Sequence, residues 1–520
     1  MQVEHVCIAG IRLGVALGAL AATHRRDVVG LIAIAPVVSG RAYLRELRML
    51  ARAIDSKRNL VRDAGDELLE TAGFVLGKET QKSLGEIDLK RLEAVPAPRV
   101  LILDRPDLPT GADWARHLRE RGAQVTEASA TGYTEMMLDS HETVVPEEML
   151  GSALEWLGEL TQARNEPPSP RSAADRQRSH QPTDTAARQT ILPANNFPDP
   201  LTGESPESPI QESAVQFGGE ATLFGIVSLP RGSSRGATSR RKAVLMLNSG
   251  AVHHVGPNRA YVHIARHLAR LGHVVLRMDI AGIGDSPPRE GHQENIVYSR
   301  SALRDVGEAL EYLRREHGAK EITAVGLCSG AYHAFKAGVA RLPLTGVVAI
   351  NPLTFFWKEN MSLQYPEHRI AADMSRYRTN VMRASSWMKL LKGQVHLLEL
   401  AKVLALHARL VAARPILALA RMLGIPLRDD LPAELQRLRH EDIDLQFVFA
   451  ENDPGFDILR DQGGSTMRRM SARGQLRVEV IANADHTFTD LTARATLARF
   501  LVTQLGEPME AACRMSEAEA

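Results

Sequence analysis

The chain has 520 residues, room for about three to four compact units or two larger α/β ones. Lys+Arg 63 against Asp+Glu 62 leaves a formal charge of +1, so no net field draws the chain to nucleic acid or to an anionic membrane surface. Its three cysteines, Cys7, Cys328 and Cys513, lie far apart, which excludes a disulfide scaffold or a cysteine-rich zinc site and fits a reduced, cytoplasmic setting.

The first ten residues lack the basic stretch and small-residue cleavage site of a secretory signal. They lead into Gly10-Ile-Arg-Leu-Gly14 and the apolar run from Val28 to Pro36. Residues 163–211 turn polar and proline-rich, with few large apolar side chains, and are expected to be a disordered linker. Beyond it the same layout recurs: Gly326-Leu-Cys-Ser-Gly330, then the run from Leu344 to Pro352. The central residue of each glycine pair stands equally far ahead of the proline, 12 to 36 and 328 to 352, so two copies of one α/β unit are present.

In the second copy, short apolar runs alternate with helical patterns, predicting a mostly parallel sheet covered by helices. Strands are placed at an opening hairpin over Ala214–Leu229, then Ala243–Leu247, Val274–Met278, Ile322–Val325, Val347–Ile350, Leu445–Phe449 and Leu476–Ile481. The chain passes from the strand ending at Val325 straight into a helix through the glycine pair. That is G-x-nucleophile-x-G with Cys328 at the centre, a strained turn that lifts one side chain above the sheet. Gly326 and Gly330 fit because neighbouring strand and helix leave no room for a Cβ. Ser329, although a hydroxyl, is the residue after the nucleophile.

Gly326-Leu-Cys-Ser-Gly-Ala-Tyr332, with the stretches Leu247–Asn258 and Arg277–Ser286, resembles the α/β-hydrolase superfamily, over nearly all of 212–506 and, truncated, over 1–162. It looks like the bacterial serine-aminopeptidase-like hydrolases, and within these is similar to the hydrolases associated with the exosortase A system, whose elbow also carries cysteine. The resemblance implies the chain order nucleophile, acid, histidine. Asp453, after Leu445–Phe449, takes the place of the acid, with Glu451 and Asp485 as nearby substitutes; His486, after the strand ending at Ile481, takes that of the base. A thiol of ordinary pKa, ~8.5, would be activated by His486 and by the helix N-terminus at Ser329. The Ser329 backbone N–H and one from Ser249, Gly250 or Ala251 are the expected oxyanion donors. His253, His254, Asp279, Gly282, Gly284 and Asp285 read as loop structure, and no metal or cofactor is called for.

A helical cap is expected over 353–441, its Phe355, Phe356, Trp357, Trp387, Met388 and Leu390–Leu423 suiting an acyl chain. Lys389, Lys392, Lys402, Arg409, Arg414 and Arg421 give it a cationic face, able to meet the phosphate of a carrier-linked substrate. The charges spaced through 391–423 exclude a membrane span. Residues 507–520 are a polar tail holding Cys513.

The first copy differs where chemistry would sit. Arg12 occupies the elbow, as in the second type of exosortase-associated hydrolase; aligning Val125 with Val478 sets Tyr133 against His486, and Asp107 falls against Asp453. This copy is expected to be partial and inactive. Its elbow comes at residue 12, whereas the second domain starts at 212 and reaches its elbow at 328. Val3–Ile8 would then be an apolar edge strand, and a start codon placed too late is the expected reason. The whole reads as a hydrolase of a small-molecule carboxylic ester or thioester acting through a Cys328-acyl intermediate. An acyltransferase with the same triad and a non-catalytic binding protein are the alternatives.

Overall fold

The structure, a computed structural model, describes residues 5–58, 68–71, 73–138, 143–162, 189–192, 210–219, 222–230, 241–358, 361, 423, 427–451 and 453–505. The chain divides into two compact units, Met1–Asp184 and Thr185–Ala520.

In the first unit the strands are β1 (Val6–Ile11), β2 (Val28–Ile34), β3 (Leu69–Thr71), β4 (Phe74–Leu76), β5 (Arg99–Asp104) and β6 (Gln124–Ser129). Its helices are α1 (Leu13–Thr23), α2 (Gly40–Arg58), α3 (Lys78–Glu86), α4 (Ala112–Glu120), α5 (Tyr133–Met136) and α6 (Glu147–Gln162). Four strands form a parallel sheet in the order β1-β2-β5-β6, and β3 and β4 make a separate hairpin. The continuous apolar sequence of β2 follows from burial on both faces. Val28, Leu31 and Ala33 pack with Val15, Ala19 and Trp114 on one side, and Ile32 and Ile34 with Trp156 and Leu160 on the other. Among the described residues β1 is an edge strand, and Ile11 and Leu17 beside it are 44% and 53% exposed.

The second unit contains β7 (Gln189–Leu192), β8 (Ile210–Phe217), β9 (Leu223–Pro230), β10 (Arg241–Leu247), β11 (Val274–Met278), β12 (Ala319–Leu327), β13 (Gly346–Ile350), β14 (Asp444–Ala450) and β15 (Arg477–Ile481). Its helices are α7 (Ala260–Arg270), α8 (Ala302–His317), α9 (Ser329–Val339), α10 (Leu431–His440), α11 (Pro454–Ala472) and α12 (Leu491–Leu505). The nine strands run in the order β15-β14-β13-β12-β10-β11-β9-β8-β7. From β11 to β15 every pairing is parallel; β9, β8 and β7 join antiparallel. Side chains alternate across the sheet into two cores. Leu245, Leu276, Phe335, Val347 and Phe447 lie on one face, and Met246, Val275, Val325, Val348 and Phe488 on the other.

One expectation about boundaries changes. Segment 163–211 is not all linker, because β7 lies inside it and pairs with β8 from Gln189↔Ser213 to Leu192↔Ile210. A four-residue strand in a polar, proline-rich stretch has no periodicity long enough to announce itself. Most of the expected cap, including Trp387, Met388, Lys389, Lys392, Lys402, Arg409, Arg414 and Arg421, lies outside the described residues, as do Val3, Cys513 and the 507–520 tail. Among the described residues no helix is long and apolar enough to cross a membrane.

Candidate active site

The elbow is built by close approach. A Cβ on Gly326 would stand 2.1 Å from the Gly330 carbonyl carbon, and one on Gly330 would stand 2.6 Å from Asn248 O, so only glycine lets β12, α9 and β10 meet here. Cys328 between them has φ 57° and ψ −113°, a conformation that costs a residue with a side chain roughly 1–3 kcal/mol. Its N–H is spent on Ile350 O at 2.9 Å, and the neighbouring Leu327 N–H on the buried Tyr261 hydroxyl at 2.9 Å. Cys328 is 8% exposed and stands at the start of α9, where the helix dipole favours negative charge.

Asp453 follows β14 and caps α11. One carboxylate oxygen accepts the Gly455 N–H at 2.9 Å, and the other is 2.7 Å from Nδ1 of His486, in the loop after β15. Burial works against charge on His486, but the Cys328 sulfur and the Asp453 carboxylate outweigh it and push the imidazolium up to about 10. Nε2 of the ring is buried without a hydrogen-bond partner among the described residues. Glu451 accepts from Asn483 N and Asp485 from Thr489 N, so both carboxylates brace the histidine loop rather than the ring.

One positioning residue escaped the sequence reading. Buried Asn351, at the end of β13 with φ 46°, donates to His486 O at 2.7 Å and accepts from Ala450 N at 2.8 Å. It ties the histidine loop to the strand that delivers Asp453.

Of the expected oxyanion donors, Gly250 N–H is already taken: it donates to the Ser329 hydroxyl at 2.8 Å. The Ser329 side chain therefore clips the loop after β10 onto the elbow, which removes Gly250 from the expected donors Ser249, Gly250, Ala251 and Ser329. The same loop is held from below by the fully buried Asp279, which receives Asn248 Nδ2 and His254 Nδ1, each at 2.8 Å, and Asp285 N at 3.0 Å. The ligand atoms of His253, His254 and Asp285 lie within 4.8 Å of one another, but the engagement of His254 with Asp279 makes this loop bracing.

Residues 239–403 match the family model "Hydrolase_4: Serine aminopeptidase, S33". Over that stretch the larger unit is similar to the serine-aminopeptidase-like hydrolases. Solved structures similar to the chain include a dienelactone hydrolase from Anabaena variabilis (15% identity, 56% of this chain and 95% of that one, TM-score 0.32). Others are a naproxen esterase from Bacillus subtilis (15%, 57% and 92%, 0.32) and an α/β serine hydrolase homologue from Coxiella burnetii (12%, 56% and 97%, 0.33). No curated protein matches the sequence.

Against the larger unit, the smaller unit keeps the backbone of the elbow and changes its contents. Arg12 has φ 52° and ψ −120°, and its N–H donates to Ile34 O at 3.0 Å, as Cys328 does to Ile350 O. Its guanidinium pairs with Glu46 and lies over the Tyr43 ring. Asp107 is exposed and bound to Arg105, whose guanidinium sits 5.5 Å from the Tyr133 ring centre, so Arg105 stands between the expected acid and the residue set against the base. Burial is the main reason the Tyr133 phenol is raised. Ala35 takes the left-handed position of Asn351, with φ 47° and no side-chain amide to tie loops together.

Proposed function

We propose that the hydrolase unit cleaves carboxylic esters or thioesters of small molecules, carrier-linked ones included, through a Cys328-acyl intermediate. The observation that carries this reading is the 2.7 Å contact between Asp453 and His486, whose other ring nitrogen is buried, with the Cys328 sulfur among the groups that raise the imidazolium. In this reading the Cys328 thiolate is the nucleophile and His486, raised to about 10, its imidazolium partner. The Cys328 thiolate attacks the acyl carbon, and the carbonyl electrons move onto oxygen, held by the Ser329 and Ala251 N–H groups. On collapse the leaving oxygen or sulfur departs with the bond pair and takes the proton from His486. Neutral His486 then removes a proton from water as it attacks the thioester, and the returning sulfur regenerates the pair. A thiol so employed works in a reducing compartment such as the cytoplasm. The smaller unit, with Arg12 at its elbow, takes no part in turnover.

Intact-mass analysis with short and long acyl thioesters tests the reading. Wild type gains one acyl group at Cys328, Cys328→Ala gains none, and Ser329→Ala is still labelled. Labelling and turnover in Cys328→Ala would refute the assignment, and acyl product on an added amine or alcohol instead of free acid would redirect it to transfer.

A further inference from the structure

The charge that nearly balances over the whole chain does not balance over α2 of the smaller unit. Arg41, Arg45, Arg48 and Arg52 follow at i, i+4, i+7 and i+11, a spacing that lines them up along one side of the helix, over about 16 Å at ~1.5 Å per residue. All four are exposed. Among the described residues Arg41, Arg45 and Arg52 have no hydrogen-bond or ion-pair partner, and Arg48 donates to Gln81 Oε1 at 3.1 Å. Glu46, the acid that follows Arg45, is spent on Arg12 at the elbow.

Such a row works against the helix that carries it. Like charges one turn apart repel, and Arg41 stands in the first turn, where the helix dipole favours anions. A counter-charge supplied from outside relieves both.

What lies beside the arginines decides the class of partner. Leu44 and Ala51 turn inward and hold α2 on the unit, but Met49, one turn from both Arg45 and Arg52, is 71% exposed. Strand β3 packs on α2, and its hairpin brings exposed Leu68 and Phe74 to the same part of the unit. A nucleic-acid backbone would give the arginines phosphates and leave Met49 in water. A bilayer surface gives both, phosphate headgroups outside and the acyl boundary just beneath them.

We propose that α2, with the β3–β4 hairpin beside it, is a docking face for an anionic phospholipid surface, on which the arginines pair with headgroup phosphates and Met49 enters the boundary with the acyl chains. The contact is peripheral, since among the described residues no helix is long and apolar enough to cross a membrane. It stands whether or not Cys328 is a nucleophile. It gives the smaller unit, whose elbow holds Arg12, a task of its own: keeping the chain at a lipid surface.

The test is co-sedimentation of the full-length protein with sucrose-loaded vesicles, either pure phosphatidylcholine or phosphatidylcholine mixed with phosphatidylglycerol at about three to one. Wild type is expected to pellet with the anionic vesicles at about 0.1 M salt, to be released at about 0.5 M, and to leave the neutral vesicles unbound. Replacing Arg41, Arg45 and Arg52 together by glutamine should lower the partition coefficient about a hundredfold, roughly fivefold for each arginine, with an unfolding midpoint unchanged or raised by the lost repulsion. Replacing the same three by lysine should keep it within about threefold of wild type, and Met49→Ser alone should lower it about fivefold. Equal pelleting with neutral vesicles, anionic binding that survives the glutamine replacements, or no effect of Met49→Ser would overturn the proposal. So would wild type that leaves both kinds of vesicle unbound, whether or not it shifts a mixed-sequence oligonucleotide.

Discussion

Replacing Asp453 by asparagine isolates one contact. The amide keeps the shape and the oxygen that accepts the Gly455 N–H, but sets an NH2 where the carboxylate oxygen lies 2.7 Å from His486 Nδ1. Nδ1 must then accept, which forces the ring proton onto Nε2 and leaves a neutral ring unable to draw a proton from water. Holding the imidazolium at about 10 instead of 6.5 corresponds to roughly 5 kcal/mol at ~1.4 kcal/mol per pH unit, shared between Cys328 and Asp453. The side chain is 33% exposed, so solvent screening trims the carboxylate's part to about 2 kcal/mol, in line with a charge-assisted hydrogen bond. That is a fall in kcat/KM of ~30-fold for p-nitrophenyl acetate, measured against a Cys328→Ala blank. Because the raised imidazolium survives until pH passes about 10, the alkaline limb of the wild-type profile lies high, and in Asp453→Asn it moves toward 6.5. A rate within twofold of wild type with an unmoved alkaline limb would refute the reasoning.

Stability changes test the geometry without reference to turnover. Gly330→Ala places a Cβ 2.6 Å from Asn248 O and 2.7 Å from Leu247 O, and should lower the urea stability of the hydrolase unit by about 3 kcal/mol; Gly14→Ala meets nothing within 4 Å and should leave the smaller unit unchanged or steadier by about 0.5–1 kcal/mol. Cys328→Gly should abolish turnover yet raise the midpoint of thermal unfolding, since glycine relieves φ 57° at a gain of about 1 kcal/mol. Arg289→Met strips the fully buried Asp305 carboxylate of its guanidinium partner, leaving the Ala281 N–H at 3.1 Å, and should destabilise by about 3–5 kcal/mol in urea unfolding.

The parallel strands were legible because buried strands write themselves as apolar runs: Val274–Met278 coincides with β11, and the others differ by a few residues at their ends, where polar residues such as Arg241 and Asp444 still pair. Sequence spacing could place Cys328, Asp453 and His486 at strand ends. It could not see Asn351, whose partner lies 135 positions away along the chain, joined only once the sheet is assembled. Nor could it see that the Ser329 hydroxyl consumes the Gly250 N–H. In the smaller unit, letter matching set Val125 against Val478. The sheet ladders instead bring Ala128 level with Leu103 and Glu479 level with Val448, a two-residue offset once Ile34 is equated with Ile350. Alternation conceals such a slip, because an even offset keeps every side chain on its own face.

The empty space beside Gly14 has a further meaning. In the larger unit the matching Gly330 faces Leu247 and Asn248, at the end of β10, whose loop carries Ala251 and Gly250. The proposed nucleophile, acid and base, Cys328, Asp453 and His486, follow β12, β14 and β15, which the smaller unit reproduces in β1, β5 and β6; the proposed second amide donor comes from across the elbow strand, on a side where the smaller unit has no strand among its described residues. A reacting centre of this design is therefore a joint between two half-sheets. Grafting a thiol at Arg12 would install a nucleophile in a half that, among its described residues, has no strand to carry the second amide donor.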